Sequence, residues 1–373
     1  MKKSILLLLA LSFVFACSKD TKETTTGDFS VSGKFLTPNG QDAVSKAKVK
    51  LSKGDVVIKE TLTNSEGEFL ISNLDAGDYQ VTISKGLFSV SQFLTLSDLD
   101  GLLDFDLEDI IITELPNIAV VTGSYDNIET VLYDIGLVNP ITQAQLFDII
   151  DGESFGRTST HTHNHSAEVN RTFNPLLAPN TDISFADLIA SPDALAAYDI
   201  IFLNCGLDES QTEFNANITN YVANGGLLYT TDYAFVYLED LTNGGENYID
   251  FYEPTRTGTS LSTEATIVND DLLAWLDLNF GVAITDNTVT IDQFLPQWQV
   301  VDSYNEDTVI PWLSGTIAYD GQTEEKSLAY TFLHGNGGVL YASFHTKNNP
   351  EQSEAVERSI QYLVFELSDL KQE

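Results

Sequence analysis

The hydrophobic pattern of this 373-residue chain changes period once, near residue 113. From Phe29 to that point apolar residues alternate with polar ones in short runs divided by turn signals; after it, continuous apolar runs alternate with segments of helical spacing. Strand side chains repeat every two residues and helix side chains every 3.6, so the two patterns call for different architectures. The chain is therefore expected to be multidomain. An antiparallel β-sandwich is predicted over 29–113, and an α/β unit built on a doubly wound, mostly parallel sheet over 114–373. Hydrophobic residues make up 43% of the chain, enough for two buried cores and too many for general disorder.

In the first unit, Phe29-Val31-Gly33-Phe35 alternates and Pro38-Asn39-Gly40 turns. Further strands are predicted at Val49-Leu51, Val57 to Leu62, Phe69-Ile71 and Tyr79-Val81-Ile83, with turns at Lys53-Gly54-Asp55 and Asn64 to Gly67. Four fragments together, Val31-Gly33, Ala47-Val49-Leu51, Asn64-Gly67-Phe69 and Leu74-Gly77-Tyr79, resemble the carboxypeptidase regulatory-like domain. That resemblance implies a non-catalytic spacer or interaction module. The acidic stretch Asp98 to Asp109 is a candidate calcium site or a solvated sheet edge.

The second unit begins with the strand Ile118-Ala119-Val120-Val121, a turn, and a helix for which Asp126 is the expected cap. Strands follow at Leu146 to Ile150, Asp199 to Gly206, Leu227 to Thr231 and Val339 to His345, with helices after Phe214 and from Gln352 to Leu367. Insertions are placed at about 152–195 and 244–331. The second is read as a lobe over one end of the sheet, with a capped helix at Asp270 to Leu276 and strands at Ala283-Ile284-Thr285 and Val289-Thr290-Ile291. Its three tryptophans, Trp275, Trp298 and Trp312, are core anchors or a carbohydrate-stacking platform. The segments Tyr198 to Phe235 and Gly335 to Phe365 resemble class I glutamine amidotransferase-like (flavodoxin-like) folds, nearest the group related to trehalose-utilisation proteins. The family would place a nucleophilic cysteine after the strand that follows Gly225-Gly226. Here Thr230-Thr231-Asp232-Tyr233 stands there, and Phe344-His345-Thr346-Lys347 keeps the family's histidine but not its glutamate. Cys205 ends the preceding strand, one βα unit early.

Five histidines are present, all in the second unit, and three of them form Thr160-His161-Thr162-His163-Asn164-His165. On an extended strand His161, His163 and His165 share a face and are candidate ligands for a divalent transition metal; a mobile solvated loop is the other reading. Asp232 and His345, both at strand ends, are the candidate acid–base pair, with Tyr233 and Cys205 as candidate ligand-binding neighbours.

The chain carries 18 Lys+Arg against 55 Asp+Glu, a formal charge of −37, which repels phosphate backbones and excludes nucleic acid as a partner. Lys2 and Lys3 precede an apolar run from Ile5 to Phe15, too short for an ordinary membrane span. The ending Val14-Phe15-Ala16-Cys17 resembles the lipobox of bacterial lipoproteins. It implies a signal peptide over 1–16, a fatty-acylated (palmitate-type) Cys17, a flexible tether over 17–28, and anchoring in the cell envelope, at the outer membrane. The expected function is binding or scaffolding there, of an envelope protein or a carbohydrate. The alternative is an envelope hydrolase acting on sugars or peptides, through the Asp–His pair or a histidine-bound metal.

Overall fold

The computed structural model describes residues 27–97, 103–139, 141–152, 177–279, 284–346 and 354–369. The N-terminal unit is a sandwich of two sheets. Glu68–Leu74, Phe29–Leu36 and Asp104–Ile111 form one; Val56–Leu62, Lys48–Lys53, Gly77–Lys85 and Phe88–Leu96 form the other. Phe29, Val31 and Phe35 point inward at alternate positions and meet Val49, Leu51, Val81 and Ile83 in the core. Neighbouring strands are antiparallel, except that Phe29–Leu36 runs parallel to Asp104–Ile111. Gly67 sits at φ +72°, where a Cβ would lie 2.6 Å from the Phe35 carbonyl oxygen. Only glycine closes that hairpin without displacing backbone.

The acidic stretch resolves as an edge strand. Asp104, Asp106, Glu108 and Asp109 are exposed on it, and among the described residues no set of three metal-ligating side chains gathers there. Residues 98–102 lie outside the described residues.

The C-terminal unit is built on a nine-stranded mixed sheet. Its order is Thr288–Phe294, Leu261–Ile267, Val309–Tyr319, Gln322–His334, Gly337–Ala342, Leu227–Thr231, Ile200–Leu203, Ile118–Val121, Asp148–Ile150. The last five are mutually parallel and the first four join antiparallel. The sheet is thus mixed, with five of its nine strands mutually parallel. The 244–331 segment does more than cover one end of the sheet: its strands Leu261–Ile267, Thr288–Phe294 and Val309–Tyr319 extend the sheet, while a separate antiparallel pair, Ile249–Phe251 with Val301–Tyr304, and the connecting loops pack beside it. Ile284 and Thr285 lie in the loop before Thr288–Phe294, not in a strand. All three tryptophans are buried, with Trp275 Nε1 donating to the Ala43 carbonyl, Trp298 Nε1 to the Thr259 carbonyl and Trp312 Nε1 to Thr331 Oγ1. They are anchors, and no stacking platform is open.

Ile118–Val121, Ile200–Leu203 and Leu227–Thr231 are buried at every position, as strands covered on both faces must be. Ile128–Asp134, Asp270–Asn279 and Glu354–Asp369 pack on one face; Phe185–Ala190, Pro192–Leu195 and Asn215–Ala223 pack on the other. From Ile118–Val121 the chain moves outward to Asp148–Ile150, then crosses back to Ile200–Leu203. The switch point, where such sheets bind ligands, lies between the Ile118 and Ile200 strands.

The sandwich rests on the first helix layer. Phe88 packs edge-on to Phe365 at 4.9 Å, Arg358 pairs with Asp42 at 2.6 Å, and Lys85 lies buried between Asp369 at 2.7 Å and Glu366 at 3.2 Å. Burial opposes the Lys85 charge, but the two carboxylates outweigh it and hold the ammonium above its ordinary range. No described helix is long and apolar enough to cross a membrane.

Candidate functional site

Four parallel neighbours deliver their carboxyl ends to one corner. Ile118–Val121 leads to Asp126, Ile200–Leu203 to Cys205, Leu227–Thr231 to Asp232, and Gly337–Ala342 to His345 and Thr346. Asp232 begins a short 3₁₀ segment, Asp232–Tyr237, at φ +39°. This conformation is uncommon for a residue with a Cβ. It turns the carboxylate back over the strand ends. One carboxylate oxygen accepts from the Gln299 N–H at 2.6 Å; the other lies 3.1 Å from His345 Nε2 and 3.6 Å from Cys205 Sγ.

Asp126 ties the same corner together from the switch-point side. It accepts from the N–H of Thr346 at 2.8 Å, the N–H of Asn127 at 2.8 Å, and the hydroxyls of Thr231 and Thr346. Thr231 Oγ1 accepts in turn from the Cys205 N–H at 2.9 Å. Asp126 is therefore no helix cap; Asn127 holds that position, without a side-chain capping bond.

The candidate pair Asp232 and His345 meets, and Cys205 meets it too. Being one βα unit early does not keep the thiol away, because the Ile200 and Leu227 strands are parallel neighbours whose ends adjoin. All three are shut in: Cys205 and Asp232 are 1% exposed and His345 0%. Burial, then the Asp232 charge, pushes the Cys205 thiol well up, so it stays protonated and is a poor nucleophile. Tyr233 is also buried; its hydroxyl donates to the Gln297 carbonyl and its ring carries the Arg256 guanidinium at 4.7 Å. Arg256 reaches Glu209 at 2.6 Å. Burial nevertheless raises the Glu209 carboxyl to about 7, with Asp232 and Asp208 adding to it against Arg256.

The arrangement has the distance for proton exchange between Asp232 and His345, and its donor set can hold a metal ion. Cys205, Asp232 and His345 place their ligand atoms within 4.8 Å of one another, the one such group among the described residues. His161, His163 and His165 lie outside the described residues, as does Cys17. Asp126, Thr231, Thr346, Gln299, Glu209 and Arg256 also build the corner, none of them expected there from the sequence. For Asp126 and Thr346 a signal existed, since both sit just past parallel strands. Gln299 and Arg256 come from loops of the 244–331 segment, and no local pattern marks them.

Residues 26–95 match the family model for the second β-sandwich domain of BOS complex subunit NOMO1-like proteins. No curated protein matches the chain. Among solved structures, 5-hydroxyisourate hydrolase from Klebsiella pneumoniae is 19% identical over 23% of this chain and 91% of its own, at a TM-score of 0.19. BcpA, the major pilin subunit of Bacillus cereus, is 14% identical over 24% of this chain and 31% of its own, at 0.21. A protein from Bacteroides uniformis described as ThuA-like is 11% identical over 67% of this chain and 90% of its own, at 0.39. All three superpose loosely. The chain joins an N-terminal β-sandwich to a C-terminal mixed-sheet α/β unit.

Proposed function

We propose that this chain is a lipid-anchored cell-envelope protein that binds or scaffolds and does not catalyse. In this reading Cys17 carries the lipid at the outer membrane, and the carboxypeptidase-regulatory-like sandwich with its amidotransferase-like partner presents a surface to an envelope protein or carbohydrate. The observation that carries it is the closed corner. The position expected for a nucleophile is held by Asp232, whose two oxygens are occupied, and the nearby thiol is buried and protonated. The anchor is tested by palmitate labelling and membrane fractionation of wild type and Cys17→Ser; label and membrane association should both vanish in the variant. The closed corner is tested by alkylating the native protein at pH 8. Cys205 should stay unlabelled until denaturant is added, and rapid labelling of the folded chain would overturn the reading.

One observation favours the hydrolase alternative: the 3.1 Å contact between Asp232 and His345. In that reading the pair acts as a general base, or a metal held by His161, His163 and His165 activates water. Turnover of a peptide or glycoside substrate that Asp232→Asn abolishes would decide for it.

A further inference from the structure

The geometry points to Cys205, Asp232 and His345 as a buried site for a divalent transition metal, zinc being the best fit. In a tetrahedral zinc site, sulfur lies about 2.3 Å and nitrogen and oxygen about 2.0 Å from the ion, so ligand atoms stand roughly 3.3–3.5 Å apart. Here Asp232 Oδ2 is 3.6 Å from Cys205 Sγ and 3.1 Å from His345 Nε2. The third separation, Cys205 Sγ to His345 Nε2, is within 4.8 Å, so an ion seated among the three ligand atoms would draw the thiol and the imidazole toward it.

Thiolate, imidazole and carboxylate together suit zinc or cobalt, and exclude the all-oxygen preference of magnesium and calcium. Charge supports the assignment as well. A thiolate and a carboxylate around a 2+ ion sum to zero, which is the state a site at 0–1% exposure tolerates best. On binding, the Cys205 S–H bond breaks, its proton leaves to solvent, and a sulfur–metal bond forms with no change of oxidation state. The supports for such a site are in place. The second Asp232 oxygen is fixed by the Gln299 N–H, the Cys205 backbone by Thr231, and the residue after His345 by Asp126. Three protein ligands leave a fourth position for an oxygen ligand such as water. The site does not depend on the non-catalytic reading: a bound ion would replace the Cys205 proton, and without turnover that reading would then rest on the burial of the corner and on Asp232 standing at the nucleophile position.

The test uses the full chain in a Cys17→Ser background, so that Cys205 is the sole thiol, expressed with cobalt in place of zinc to load the buried site during folding. Metal is counted by elemental analysis and the ligands are read from the absorption spectrum. One equivalent per chain is expected, with a near-ultraviolet thiolate-to-cobalt band and strong tetrahedral visible bands. Cys205→Ser should abolish the thiolate band, and His345→Gln should weaken retention about 100-fold or more. Replacing His161, His163 and His165 together with alanine should change neither stoichiometry nor spectrum. Cys205→Ser is near-isosteric, and its far-ultraviolet circular dichroism checks the fold. Metal below one-tenth of an equivalent in the parent chain, a spectrum without a thiolate band, or metal kept by Cys205→Ser and lost with the three loop histidines would each overturn the assignment.

Discussion

Asp126 is a carboxylate at 3% exposure, surrounded by donors from residues up to 220 positions away. Removing it takes the acceptor from the buried Thr346 N–H and from two buried hydroxyls at once, while the half-buried Asn127 N–H keeps Thr346 Oγ1 at 3.1 Å; each lost bond to a charged acceptor is worth about 1.5–3 kcal/mol. Asp126→Ala is therefore expected to cost about 4 kcal/mol or more in urea denaturation. Asp126→Asn should cost less, since its one carbonyl oxygen still accepts while its amide nitrogen opposes donors. A cost below about 1 kcal/mol for Ala would show that water replaces the carboxylate. The residue illustrates what a linear reading reaches. An Asp just before a helical pattern reads locally as a cap, and that preference is real. What overrides it is the adjacency of strand ends far apart in sequence, which no window sees. Asp232 and His345 were legible because each follows a strand whose apolar run is unmistakable. Glu209 was not legible, since its environment comes from Arg256 and Asp232, distant in the chain. Its carboxyl, raised to about 7, takes up a proton on folding between about pH 4.5 and 7. Its contribution therefore falls as pH rises through that window, and above it the buried charge costs about 3 kcal/mol. Glu209→Gln should leave stability at pH 4 nearly unchanged and raise it at pH 8. Urea midpoints at the two pH values check this; equal shifts at both would refute it.

At the scale of elements, the closed corner depends on two loops in backbone contact. Gly123 follows the Ile118 strand, and a Cβ there would lie 2.1 Å from the Cys205 carbonyl oxygen; Gly206, at φ +87°, faces Ser124 and Tyr125 from the other side. The Tyr125 N–H donates to the Cys205 carbonyl at 3.1 Å across this seam. Gly123→Ala must push the loops apart. Overpacking of this kind costs about 1–3 kcal/mol, and the seam it opens lies beside the thiol. The expected result is a stability loss of that size with alkylation of native Cys205 accelerated about tenfold. Lost stability with an unchanged labelling rate would mean that the corner opens elsewhere. The elements themselves were largely readable. Continuous apolar runs announced the parallel strands, and alternation announced the sandwich. The antiparallel extension was not read as part of the sheet, because a strand's pattern states which face is buried and not which neighbour it pairs with. One local signal for it was present. Asp320 and Gly321 both have positive φ and join Val309–Tyr319 to Gln322–His334, the two-residue turn that matches strand twist.

Over the whole molecule, the sandwich behaves as a second wall of the α/β core. One continuous apolar cluster runs from Val49 and Phe88 through Phe365 and Leu363 to Leu340 and Phe202. Buried Lys85 and the Arg358–Asp42 pair fasten its rim. The Lys85 contribution is intact at neutral pH and is lost only as pH rises past the ordinary lysine range, because its ammonium is held above that value. Two units that share a core are expected to unfold together, whereas units joined by a linker melt separately. The sequence allows this to be tested cleanly, since all three tryptophans lie in the C-terminal unit and none in the sandwich. Phe88 belongs to the sandwich, is fully buried, and touches the C-terminal unit through Phe365. Phe88→Ala should cost about 3–5 kcal/mol. If the core is shared, tryptophan fluorescence and far-ultraviolet circular dichroism will report one transition, displaced by the same amount, although the substitution is in a unit without tryptophan. A fluorescence midpoint that stays put while the dichroism signal splits would show instead two independent units, with the Lys85 and Arg358 contacts reduced to surface pairs worth well under about 1 kcal/mol each.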